Sequence, residues 1–397
     1  MQNVYEPRED SYLLQKEVKK YAHGDVLDMG TGSGIQAITA SESKKVKSVL
    51  AVDLNRHAVK YVSDLVKKEG LKKIKVLHSD LFSNIQNKKF DTIIFNPPYL
   101  PEDEREPSDE MKRAISGGRH GWEVLSTFID HAVSRLNNNG NILIVFSSLT
   151  NKEKVEEIVS SHLLDFKKLS QQNVGFETLY VYLITKSNLL QKFEKHGISD
   201  VKVLAKGHRG LVYKGNYKGK PVAIKIANCA AAKNRIGFEV QWLKKLNPLG
   251  IGPKLILHDG DYFVMEYVDG VRIMEYIDSL PSEQPATKAI IKKVLSDVFN
   301  TCYKLDQMKI EKQEMHSPYK HIIVGNNVKL IDFERARSAP TPKNVTQFCQ
   351  FVTSTNVFVA LREKGFSVNR DRIRKLCQWY KRNPSEKNLD TILKELK

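Results

Sequence analysis

Asn96, Pro97, Pro98 and Tyr99 follow FDTIIF (90–95), an apolar, β-branched run that reads as a buried parallel strand. An asparagine between such a strand and two prolines is a hydrogen-bonding group on a rigid mount. It stands where open α/β sheets bind ligands. Three aspartates close earlier runs in the same way: Asp28 in DVLDMG, Asp53 in VKSVLAVDL and Asp80 in IKVLHSDL. Asp53 follows the glycine-rich stretch at the distance suited to taking both ribose hydroxyls of an adenosine. Asp80 can accept from an exocyclic adenine amine, with Leu81 beside the ring. Between the first run and the next helical pattern lies DMGTGSG, whose Gly30, Gly32 and Gly34 permit a tight turn under a ligand. Dinucleotide dehydrogenases use a similar loop. Here the G-x-G-x-G spacing and the preceding Asp28 suit a cationic cofactor better than a pyrophosphate. Singly, each aspartate reads equally well as a helix cap or turn residue. Three at successive strand ends read as a site.

The elements that must hold these residues alternate regularly. Residues 24–186 carry six strand-like runs, the later ones being GNILIVFSS (140–148) and ETLYVYLITK (177–186). Between them lie helical patterns such as AVKYVSDLVKKEG and GWEVLSTFIDHAVSRLN. That order implies an α/β fold, a doubly wound Rossmann-like parallel sheet covered on both faces, with an antiparallel edge at the end. Ahead of it, YEPRED leads into the helical SYLLQKEVKKYA, and Ser11 or Asp10 is expected as its N-cap.

In this order DMGTGSG, AVDLN, SDL and NPPY resemble the class I S-adenosylmethionine-dependent methyltransferases that modify a planar amide or amino nitrogen. Within them the chain is most similar to the HemK-type N5-glutamine methyltransferases of peptide release factors, in their short archaeal and eukaryotic branch. VYEPREDSYLL, SGGRHGWEVL (116–125) and the lack of a separate N-terminal helical domain fit that branch. The resemblance covers residues 1–186. It implies S-adenosylmethionine bound by Asp28, Gly30, Gly32, Gly34, Asp53, Leu54, Asp80, Leu81 and Asn96, with Glu9, Asp10 and Ser11 over the cofactor. It also implies that Asn96 and the Pro97 carbonyl accept hydrogen bonds from the substrate NH2. Those bonds would draw the nitrogen's lone pair out of conjugation. Pro98 would stiffen the backbone and Tyr99 would pack on the flat amide. A release factor as substrate, and a small zinc-ribbon-like activator subunit added at the sheet edge, are implied in the same way.

Residues 187–397 have a different pattern. Glycine-rich strands (VKVLAKGHRGLVYKGNYKGKPVAIKIA) precede a helix, KNRIGFEVQWLKKLN, a strand DYFVMEYVDG, and helices from about 286. This order resembles an α+β two-lobed protein kinase, closest to the small archaeal Rio and Bud groups. The resemblance implies ATP and Mg2+ held by Gly207, Gly210, Lys225, Glu239 and Glu266, with Asp332 as the metal ligand. The catalytic loop departs from the family. In EMHSPYKHIIV, spacing from Ile322 puts His316 where an aspartate should stand and His321 where an asparagine should. Glu314, two positions away, is the other candidate. Phosphoryl transfer and a regulatory ATP-binding pseudokinase therefore both fit.

Composition agrees with two domains, 1–186 and 187–397, in a chain of 397 residues. The first half holds 26 Lys and Arg against 25 Asp and Glu, the second 37 against 21. The basic half suits RNA or ribosome contact, and equally a lysine-rich surface with no such partner. No stretch suits a membrane span, and the N-terminus lacks the order of a signal peptide. Cys229, Cys302, Cys349 and Cys377 are dispersed, as free thiols in a reducing cytoplasm would be. Two other functions share these motifs. An adenine-N6 nucleic-acid methyltransferase faces the same lone-pair problem at NPPY. A scaffold would dock RNA with its basic half and leave the first half a spectator.

Overall fold

The computed structural model describes residues 4–102, 116–206, 210–227 and 230–397. The chain divides into two compact units, Met1–Lys202 and Val203–Lys397.

The first unit is built on α1 (Glu9–Tyr21), β1 (Gly24–Met29), α2 (Ile35–Glu42), β2 (Val46–Asp53), α3 (Arg56–Lys68), β3 (Ile74–His78) and β4 (Phe90–Phe95). It continues with α4 (Glu123–Arg135), β5 (Leu136–Ser147), α5 (Lys152–Ser161), β6 (Leu164–Val174), β7 (Glu177–Lys186) and α6 (Asn188–Lys195). The strands form one sheet in the order β3-β2-β1-β4-β5-β7-β6, the first five parallel and β7 antiparallel to both neighbours. The register aligns Met29 with both Val52 and Phe95, and Asp53 with His78. The ends of β1, β2, β3 and β4 therefore open along one edge, as the alternation of runs requires.

Strand burial fits the sequence pattern: Val26, Leu27, Ile93, Ile94 and Leu143 are fully buried because both faces of the sheet are covered. On one face α1 and α2 pack Leu13, Leu14, Val18, Ala37 and Ala40 over Val26, Val49, Ile94 and Leu143. On the other, Phe128 of α4 lies 4.4 Å from Phe95, ring centre to ring centre. Burying one such side chain is worth about 1.5–3 kcal/mol. That packing anchors the end of β4 immediately before Asn96.

Two local expectations are corrected. Helix α1 starts at Glu9 with Arg8 as its N-cap residue and no side-chain cap bond, so neither Asp10 nor Ser11 caps it. Residues 164–174 form the outer strand β6, which the sequence does not announce. Its residues LDFKKLSQQNV are mostly polar because this edge strand is half exposed.

A five-stranded sheet is ordered β11-β12-β10-β9-β8; β9 (Gly210–Tyr217), β10 (Lys220–Ala227), β11 (Leu255–Asp259) and β12 (Tyr262–Glu266) lie in the second unit, and β8 (Ile198–Lys206) runs across the boundary at Lys202. A helix, α7 (Ala230–Leu246), connects β10 to β11. The rest is mainly helical. Its core gathers Ile291, Leu295, Phe299, Phe348, Phe351 and Leu361. Cys302, Cys349 and Cys377 are free thiols, and Cys229 lies outside the described residues. Among the described residues, no helix is long and apolar enough to cross a membrane.

Candidate functional site

The strand ends of the first unit surround a cavity of about 960 Å³. Asp28, Gly30, Gly32, Asp53, Leu54, Asp80, Leu81, Asn96, Pro97, Pro98 and Tyr99 all line it, as do Glu9, Asp10 and Ser11 of α1. Gly34 is the exception. It is the N-cap residue of α2 at φ +82°, where a Cβ would meet Val62 at 3.1 Å. Its place is in the turn beneath the cavity, not on the wall.

Each aspartate has a distinct setting. Asp28 is buried, and its Oδ2 accepts from the Thr31 hydroxyl at 2.7 Å and the Ala37 amide at 3.1 Å. Those bonds strap the glycine loop to α2. Burial nevertheless pushes its carboxyl up to about 7. Asp53 accepts from the Gly32 amide on Oδ2 and the Asn55 amide on Oδ1, both at 2.8 Å, which fixes the plane of its carboxylate. Burial raises its pKa as well. Asp80 is exposed at the cavity mouth. Seven carboxylates line the cavity (Glu9, Asp10, Asp28, Asp53, Asp80, Glu123 and Glu177) against the cations of Arg8 and Arg56. That balance favours a positively charged ligand.

Asn96 has its two ends in opposite environments. Nδ2 donates to Asp10 Oδ2 at 2.9 Å, while Oδ1 is buried with no hydrogen-bond partner among the described residues. A buried acceptor left open in this way calls for a donor from a ligand. Asp10 also accepts from the Tyr5 hydroxyl at 3.1 Å. Burial and the Asp10 charge hold the Tyr5 and Tyr99 hydroxyls well above their ordinary range. Tyr99 lines the cavity with Tyr5 and Asn96.

The segment after Ser116 carries a role that its residue types alone do not reveal. Leu100 bridges to Ser116, and the Gly117 amide donates to the Leu100 carbonyl at 2.9 Å. A Cβ on Gly117 would stand 2.7 Å from the Pro98 carbonyl oxygen, and one on Gly121 2.6 Å from that of Tyr99. Only glycine lets this segment lie flush on the Asn96–Tyr99 backbone. Tyr5, Ser116, Glu123, Thr127 and Glu177 are further lining residues. Of these, Tyr5 falls in VYEPREDSYLL, and Ser116 and Glu123 in SGGRHGWEVL, the two stretches with a sequence signal.

A second cluster lies within the second unit. Lys225 Nζ lies 2.6 Å from Glu239 Oε2, 3.1 Å from Asp332 Oδ1 and 3.6 Å from Glu334 Oε2. Burial alone would lower the Lys225 pKa, but Glu239 and Asp332 outweigh it and hold the ammonium raised. One oxygen from each of Glu239, Asp332 and Glu334 lies within 4.8 Å of the others, a spacing open to a divalent cation. Lys312, unmarked in the sequence, is buried and donates to the Asp332 carbonyl at 2.9 Å. Burial pushes its ammonium down to about 8. Glu314 faces this group through His321, 3.4 Å away, and also pairs with Arg335. His321 lies 3.9 Å from Asp332. His316 is exposed and belongs to none of these pairs. Left-handed backbone at Gln313 and Glu314 turns the chain here. Glu266 instead accepts from the Lys254 amide and lies 3.7 Å from Lys329. Gly210 opens β9 opposite Ala227, and Gly207 lies outside the described residues.

Comparison with known proteins concerns the first half. Residues 8–179 match the family described as Methyltransferase small domain. A protein of Methanocaldococcus jannaschii, provisionally named a protein N5-glutamine methyltransferase, is 40% identical over 181 residues, 45% of this chain and 89% of that protein. The release factor glutamine methyltransferase of Rhodopirellula baltica is 29% identical over 198 residues, covering 45% of this chain and 62% of that enzyme. Among solved structures, the E. cuniculi Mtq2–Trm112 complex, responsible for methylation of the eRF1 translation termination factor, shows 26% identity. The match covers 47% of this chain and 99% of that one, at a TM-score of 0.37.

Proposed function

From the premise that this chain belongs, through its first half, to the HemK-type protein N5-glutamine methyltransferase family, we propose that it transfers a methyl group from S-adenosylmethionine to the side-chain amide of a glutamine in a peptide release factor. The observation that carries this reading is the buried, open acceptor Asn96 Oδ1 at the end of β4. An amide nitrogen is a poor nucleophile because its lone pair is shared with the carbonyl. An acceptor on a rigid mount polarises the N–H bonds only where the nitrogen must react, which is the kind of contact that lowers a barrier. The carboxylate-rich cavity suits a cofactor that carries a sulfonium and an ammonium. Asp53, with its plane fixed by two amides, would take the ribose hydroxyls, and Asp80 and Leu81 the adenine.

The name of the Rhodopirellula relative supports a release factor as the substrate. A small activator would extend the sheet beside β3, whose outer edge pairs with no other strand among the described residues. In the second unit, Lys225 paired to Glu239 beside Asp332 supports a kinase-like site for ATP and Mg2+.

The test is transfer of labelled methyl from S-adenosylmethionine to purified release factor, with nucleic acid as the competing substrate. Release factor should be labelled on glutamine, and Asn96→Ala should lower kcat by about a hundredfold or more while cofactor affinity stays within about threefold. Labelling of nucleic acid alone, or full activity in Asn96→Ala, overturns the reading.

A further inference from the structure

A primary amide has nearly the same shape at its two ends but opposite hydrogen-bonding character. A half-turn about its last bond exchanges an acceptor for two donors. If Asn96 turned its NH2 toward the cavity, it would meet an incoming NH2 donor to donor, and the bond that readies the nitrogen would be lost. Asp10 decides which end faces which way. Its side chain is buried, and Oδ2 takes the Asn96 Nδ2 proton at 2.9 Å. A flipped Asn96 would set oxygen against oxygen with no proton between them.

The carboxylate is itself held from several sides. Its Oδ1 accepts from the Ser11 amide at 2.6 Å and the Ser11 hydroxyl at 3.2 Å. The Tyr5 hydroxyl reaches Oδ2 at 3.1 Å. Gln36 of α2 donates to the Ser11 carbonyl at 2.8 Å, fixing the first turn of α1 in place. These bonds account for the burial of an acidic residue that caps nothing.

We propose that Asp10 is the positioning residue that keeps the Asn96 amide oriented with its acceptor toward the substrate nitrogen. Through the tip of Tyr5 it also holds one aromatic side chain of the cavity wall in place. This inference rests on the amide-methylation reading above and deepens it: the group recognised is an NH2 on a trigonal carbon.

The decisive experiment reverses the polarity of the contact in the full-length protein. With release factor and labelled S-adenosylmethionine, Asp10→Asn should lower kcat by about 10–100-fold, with KM for S-adenosylmethionine within about threefold. Asn96→Asp alone should fall further, because two carboxylates then face each other. The double variant Asp10→Asn/Asn96→Asp again has one donor and one acceptor across the contact, and an acceptor facing the cavity. It should exceed Asn96→Asp in kcat by about tenfold or more. Wild-type kcat in Asp10→Asn, or a double variant no better than Asn96→Asp, overturns the proposal. A second readout needs no substrate. The Asn96 side-chain NH2 signal, assigned by its loss in Asn96→Asp, should exchange slowly with solvent in the wild type and rapidly in Asp10→Ala. Equal exchange in the two overturns the positioning role. Slow, Asp10-dependent exchange in a protein that methylates no release factor upholds the positioning and sinks the glutamine reading alone.

Discussion

At the scale of a residue, Asp28 shows what burying a carboxylate beneath a cavity costs the fold. Burial raises its carboxyl to about 7 although Thr31 and Ala37 both donate to it. The folded chain therefore keeps a proton that the unfolded chain releases near the ordinary carboxylate range. Between about pH 4 and pH 7 the folded state binds more protons, so this group makes stability fall as pH rises and level off above pH 7. Asp28→Asn keeps an acceptor for Thr31 and Ala37 but has no charge to bury. Its stability relative to wild type should climb from near zero at pH 4 to roughly 2–4 kcal/mol at pH 8. Urea unfolding at a series of pH values, followed by hydrogen exchange across β1 and β4, checks this. Asp53, also raised by burial, is common to both proteins and cancels in the difference. A difference that stays flat with pH would mean that Asp28 ionises freely in the folded protein.

At the scale of elements, the site is a junction of four strand ends, the first turn of α1 and the segment after Ser116. The strand ends were legible in the sequence, because parallel strands buried on both faces read as continuous apolar runs that stop at polar residues. Helix α1 was legible as a helix, but the side chains of its first turn were not. Glu9, Asp10 and Ser11 look like capping residues, and only the 86-residue closure from Asp10 to Asn96 shows otherwise. Strand β6 was hidden for a related reason: half-exposed and polar, it has no apolar alternation to read. Glycines 117 and 121 gave a motif without a reason, since the backbone they lie on is far from them in the chain's local pattern. Their role leads to a prediction. Gly121 sits at φ +84°, and a Cβ there would press on the Tyr99 carbonyl at 2.6 Å with backbone on both sides. Gly121→Ala should shift the Pro97–Tyr99 backbone and lower kcat by about tenfold or more, since small displacements of positioned groups are costly in rate. Titration of S-adenosylmethionine by calorimetry should change little, because Asp53 ends β2 and Asp80 follows β3, away from this segment. Equal loss of cofactor affinity and kcat would place the effect in the whole fold.

At the scale of the molecule, charge and pattern together mark two different objects: an electrostatically balanced first half and a basic second half. Most of the order of elements in the second half was legible, β11 excepted, and Lys225, Glu239 and Asp332 come together in the structure. The loop from Glu314 to His321 was not legible. Counting back from Ile322 gives positions along the chain but not facing: His316 is exposed, while Glu314 and His321 lie 3.4 Å apart. The second unit's proposed ATP site can be tested against its own architecture. Removing Lys225 alone would leave Glu239 buried, with the Phe333 amide as its remaining close donor. An uncompensated buried charge costs about 3–5 kcal/mol, so Lys225→Ala should lose ATP and stability together and decide little. The double variant Lys225→Met/Glu239→Gln removes both charges and keeps the volume. It should recover most of that stability, as replacement of a buried pair by neutral groups generally does. Without the ammonium, however, it should bind Mg-ATP at least about tenfold more weakly, the loss of one charge-assisted hydrogen bond to phosphate. Calorimetry on the full-length wild type and the double variant, alongside urea unfolding, separates the two effects. Wild-type ATP affinity in a stable double variant would remove Lys225 from the site, and a wild type that binds no Mg-ATP would remove the site itself.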